Sequence, residues 1–146
     1  MQLPRELQHF EHPTLIVLAD HEHAQYWLAH GDQFEELGEL TSRRERKSDN
    51  EYSTIISATG RTHSSPEEHF DDRLLHFVKD VADRISHVIR DKQAAHYHLV
   101  MVEELGNQIT AELADDVRTQ ALWPVAEDLV KSPPLEAIKR VIEKFL

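Results

Sequence analysis

The sequence predicts a mixed α/β fold with the element order β-β-β-α-β-α-β-α. Three observations carry that prediction. Short apolar runs near the start are separated by turn residues. From Pro66 onward, apolar residues recur every three or four positions. A second apolar run, Tyr97 to Val102, then follows the helical stretch.

Thr14 to Ala19 (TLIVLA) is continuously apolar and rich in β-branched residues, and Asp20-His21-Glu22 closes it. This reads as a buried strand and a tight turn. Ala24 to His30 is a second strand that stops at Gly31-Asp32, where glycine accepts the positive φ of a hairpin. Gln33 to Leu40 is a third, more polar strand anchored by Phe34 and Leu37. Joined by short turns, the three make an antiparallel meander.

Thr41 to Ser65 has no periodicity and reads as a loop, interrupted by a strand-like run at Tyr52 to Ser57. Loops of that length are functional or disordered. Pro66 to Asp91 is a long amphipathic helix. Ser65 suits its cap, Pro66 its first position, and Glu67 and Glu68 the positive end of its dipole. Phe70, Leu74, Phe77, Val78, Val81, Ile85, Val88 and Ile89 form its apolar stripe.

Tyr97 to Val102 is a fourth strand, apolar on both faces and therefore central. Asn107 to Thr119 reads as a helix with Ile109, Leu113 and Val117 on one face. Leu122 to Ala126 is a short fifth strand that Pro124 confines to an edge. Pro133 and Pro134 open a last helix with Leu135, Ile138, Val141, Ile142 and Phe145 as its stripe. No linker or internal repeat divides the chain, so residues 1–146 read as one domain with a mixed five-stranded sheet. That element order is characteristic of ribonuclease H-like folds.

Composition narrows the function. The 146 residues carry a formal charge of −11, which repels phosphate backbones overall. There is no cysteine, so disulfide scaffolds, zinc ribbons, iron–sulfur sites and thiol nucleophiles are excluded. The first residues lack a signal-peptide apolar run, and no stretch approaches a bilayer span. A cytoplasmic protein without membrane contact is expected.

Against that acidic background, Arg43, Arg44, Arg46 and Lys47 make one dense basic cluster. Arg61 and His63 lie in the same segment, within Gly60-Arg61-Thr62-His63-Ser64-Ser65, an anion-binding pattern before a helix start. The plain alternative is a solvated run. Metal chemistry has weaker signals. Asp20 follows the first strand, Glu103 and Glu104 follow the fourth, and Asp71 or Asp72 completes a set for a two-metal nuclease. An acid inside the first strand, which such a site wants, is missing. His21-x-His23 and His96-x-His98 each place two imidazoles on one side of an extended segment. With 11 histidines in the chain, such pairs arise readily by chance. No P-loop, dinucleotide fingerprint or serine-hydrolase elbow occurs, and no cofactor is expected. Trp27 and Trp123 read as core or edge packing.

The stretch from Leu15 through Asp20, Ala24 and Leu28, followed by Phe34-Glu-Glu-Leu37, resembles the opening meander of a known domain. It is the middle domain of archaeal and eukaryotic class 1 release factors and of Pelota. The chain is similar also to their small bacterial relatives, a group that includes proteins required for attachment to host cells. The helix at Phe70 to Ile89, the strand at Tyr97 to Val102 and Glu127-Asp128-Leu129 fall in matching places. Release factors carry Gly-Gly-Gln between the third strand and the long helix, where it positions water at the peptidyl-tRNA ester. Here Ser57 to Ser65 holds one glycine and no glutamine. The resemblance therefore implies a non-enzymatic, translation-associated module that meets the ribosome or tRNA through residues 41–65. The contact residues would be Arg43, Arg44, Arg46, Lys47, Arg61 and His63. Host-cell attachment is the alternative that the group's label implies, and a metal-dependent nuclease using Asp20, Glu103 and Glu104 is the enzymatic outsider.

Overall fold

The structure, a computed structural model, describes residues 1–42 and 66–145, with side chains placed through residue 42 and from 72 to 144. Strand β1 spans Thr14–Ala19, β2 His23–His30 and β3 Gln33–Thr41. Helix α1 spans Pro66–Arg90, and β4 His96–Val100. Then come α2 (Glu103–Ala111), α3 (Asp115–Arg118) and α4 (Pro134–Phe145). The strands form one sheet in the order β3-β2-β1-β4, with β1 antiparallel to β2 and parallel to β4.

Alternation along β1 explains how one sheet carries two cores. Leu15, Val17 and Ala19 face one side, where Phe77, Val78, Val81, Ile85 and Val88 of α1 cover them together with α2 and α3. Ile16 and Leu18 face the other, beneath Ile138, Val141 and Ile142 of α4 and the amino-terminal Leu3, Leu7 and Phe10. With all six residues of β1 buried, the unbroken apolar run TLIVLA is the pattern of a strand covered on both faces.

The β2–β3 hairpin turns at Gly31, which has φ +61°, as the Gly-Asp signal requires. Between Tyr26 and Trp27 the register shifts, so Leu37 is an extra residue on β3. This bulge turns both Leu37 and Leu40 toward the α1 side. Gly38 sits beside it at φ +154°. Arg84 of α1 closes the bulge: its Nη2 donates to Leu37 O at 3.1 Å, and its guanidinium lies 5.4 Å from the Tyr26 ring centre.

Three expectations need correction. Among the described residues the sheet has four strands rather than five. Residues 121–125 run beside β4 through isolated parallel bridges at Ala121 and Val125 only. Pro124 has no N–H to donate, and the Trp123 carbonyl turns instead to the His98 ring. The expected helix Asn107 to Thr119 is two helices, starting at Glu103 and again at Asp115. Paired acids open each of them, Glu103-Glu104 and Asp115-Asp116, where the helix dipole favours negative charge. Between them Arg118 Nε donates to the Leu113 carbonyl at 2.8 Å, satisfying an acceptor the break would leave open. The fourth strand accordingly ends at Val100, two residues early. The strand expected at Tyr52–Ser57 lies outside the described residues.

Candidate functional site

Because β1, β3 and β4 run in one direction, their carboxyl ends share an edge of the sheet. In open α/β sheets this is the edge where ligands bind. It is also where β3 ends at Thr41, followed by Ser42. The Ser42 N–H donates to Glu22 O at 2.7 Å, so the departure point of the basic segment is tied to the β1–β2 turn.

Asp20 organises that turn. One carboxylate oxygen, Oδ1, accepts the N–H groups of Glu22 (2.8 Å) and His23 (2.7 Å), and His23 Nδ1 lies 3.5 Å away. The Asp20 N–H in turn donates to His23 O at 2.9 Å. This is the short-range pattern by which an aspartate mimics backbone in a turn. Glu103 and Glu104 point to solvent in the first turn of α2. Asp72 is exposed on α1, and the Asp71 side chain lies outside the described residues. Among the described residues, no three His, Asp or Glu side chains converge as a metal-ligand set. The nuclease acids are therefore near one edge without forming a centre. A cavity of about 280 Å³ opens at the end of β4, bordered by Met101, Glu103, Asn107, Thr110 and Lys144.

The expected contact residues Arg43, Arg44, Arg46, Lys47, Arg61 and His63 all lie outside the described residues. What the structure supplies is their point of attachment, between Ser42 at the carboxyl edge and the first turn of α1.

The opposite edge holds a cavity that sequence spacing only partly signalled. It has a volume of about 190 Å³ and is lined by His9, His12, His96 and His98 together with Phe10, Leu122, Trp123, Val141 and Ile142. His96-x-His98 was legible, since residues two apart on a strand share a face. His9, His12 and Trp123 come from distant segments and carried no signal. His98 is buried, and its Nδ1 donates to Trp123 O at 2.8 Å. A carbonyl can only accept, so this bond fixes the proton on Nδ1 and leaves Nε2 as an acceptor. The indole of Trp123 meets the imidazole edge-on at 4.8 Å, and its Nε1 donates to Val141 O at 3.0 Å on α4. Burial holds the His98 pKa below the ordinary imidazole value, with the nearby His96 adding to the effect and the Trp123 carbonyl opposing it. His96 Nδ1 is buried without a hydrogen-bond partner among the described residues.

No family model matches the chain, and no match is found among curated proteins. Solved structures do match. An archaeal protein shares 14% identity at a TM-score of 0.52, covering 90% of this chain and 33% of its own. An archaeal translation termination factor, aRF1, shares 12% identity at a TM-score of 0.54 and covers 91% of this chain. The fold is release-factor-like. The chain spans 39% of the termination factor's length, so it corresponds to a part of that protein. Among the described residues, no helix is long and apolar enough to cross a membrane.

Proposed function

We propose that the chain is a non-enzymatic, translation-associated module that binds the ribosome or tRNA through residues 41–65. In this reading it corresponds to the release-factor middle domain and shares its ribonuclease H-like order. It acts in the cytoplasm. The observation that carries the proposal is the fold match over nine-tenths of the chain to a termination factor. Fold alone does not assign function, so the chemistry must come from the site. Four basic side chains within residues 43–47, on a chain of net charge −11, supply it. Ordinary salt screens charges over ~10 Å, so a phosphate beside the cluster feels it more than the distant acids. Arg61 and His63 add to the same segment. Ester hydrolysis is not part of the proposal, because residues 57–65 offer no Gly-Gly-Gln to position water.

Phosphate contacts give affinity that is weak, salt-sensitive and largely independent of sequence. Titrating labelled RNA with wild type and with Arg43→Ala/Arg44→Ala/Arg46→Ala at low and moderate salt tests it. Weaker binding and a flatter salt slope in the triple variant are expected. Identical curves, or binding by neither protein, would contradict the proposal.

A further inference from the structure

We infer that the cavity at the amino edge of the sheet binds an uncharged aromatic ring carrying one O–H or N–H donor. This inference is independent of the proposed RNA contact, which lies at the other edge. Size sets the first limit. An apolar cavity of ~150 Å³ takes up benzene, and this one measures about 190 Å³. It therefore suits one ring with a small substituent. Its apolar walls come from three separate parts of the chain: Phe10, Leu122 with Trp123, and Val141 with Ile142 of α4, opposite β4. A flat ring gains dispersion and burial against such walls.

The polar groups set the second limit. His98 lines the cavity with its proton fixed on Nδ1 by the Trp123 carbonyl, so its ring offers Nε2 as a lone pair. A ligand O–H or N–H satisfies that acceptor. His96, two residues earlier on the same face, also lines the cavity. A charged ligand fits poorly. Glu11 is exposed at the rim and provides no buried counter-charge for a cation, while an anion would meet the Nε2 lone pair and Glu11 together.

The test compares phenol with anisole, which keeps the ring and oxygen but replaces the donor hydrogen by methyl. The ¹⁵N-labelled full chain is titrated with each at pH 7.5, following the two indole N–H signals and the histidine ring nitrogens. A Trp27→Phe variant assigns the Trp123 signal. The expected result is a saturable shift of Trp123 and His98, with phenol binding about fivefold tighter than anisole, the size of one net hydrogen bond. In His98→Phe the preference for phenol should vanish while anisole still binds, and Ile142→Trp should exclude both. If His98→Phe does not fold, the wild-type comparison of the two probes decides alone. No saturable shift up to the solubility limit, or anisole binding as tightly as phenol, would overturn the inference.

Discussion

The two edges of the sheet use the same side chains, carboxylates and imidazoles, to opposite ends. At the carboxyl edge Asp20 is bonded to the Glu22 and His23 amides, while Glu103 and Glu104 face water. At the amino edge His96 and His98 are drawn under Trp123, Phe10 and α4, where burial lowers the His98 pKa. The difference lies in what covers each edge. A polar group beside a strand end becomes a turn component when its own backbone is nearest. It becomes part of a cavity when remote segments close over it.

The largest expected effect of breaking this contrast is at Trp123. Trp123→Ala removes the ring packed on His98 and the bond to Val141 O, and should lower stability by about 3 kcal/mol in urea denaturation. A loss below ~1 kcal/mol would mean that the amino edge is not closed by this ring.

Asp20→Ala should cost about 1–2 kcal/mol by leaving two turn amides without their acceptor. Asp20→Asn should recover most of that, since an amide oxygen can accept the same bonds. If the charge itself mattered, both variants would lose equally.

Acidification separates the edges by a smaller amount. The folded pKa of His98 lies below its unfolded value of ~6.5, so the unfolded chain takes up the proton first. Its contribution to stability is complete above that value and is lost as pH falls toward the depressed folded pKa. His9, His12, His96 and Glu11 also line the cavity, so the informative quantity is the difference between wild type and His98→Gln. Wild type should lose more stability below pH ~6.5 than the variant. Parallel pH profiles would contradict a lowered His98 pKa. At the far end of the scale, peptidyl-tRNA in a programmed stop-codon assay should be cleaved no faster than without protein.

Much of the architecture was legible in local patterns. TLIVLA, the Gly31-Asp32 turn and the stripe from Leu74 to Ile89 each marked an element with bounds within a residue or two of those observed. Failures came where a local rule had a competitor. Leu122 to Ala126 reads as a strand, yet Pro124 and the His98 ring interrupt its pairing with β4. The i, i+4 stripe Ile109–Leu113–Val117 runs across a helix break, because packing can hold a face continuous while the backbone restarts at Asp115. Among the described residues, the acids at strand ends serve as turn and helix-start groups. The amino-edge cavity was hidden for another reason: segments more than a hundred residues apart build it, and no spacing rule spans that distance.

The central claim, that this release-factor-like chain meets the translation machinery through its basic segment, is tested most directly by ribosome sedimentation. Purified ribosomes are pelleted with wild type or with Arg43→Ala/Arg44→Ala/Arg46→Ala across a salt series. Wild type should co-pellet at low salt and be released as salt rises, with the triple variant remaining in the supernatant and equally folded by circular dichroism. Wild type that stays in the supernatant at every salt concentration, or a triple variant that pellets identically, would contradict it.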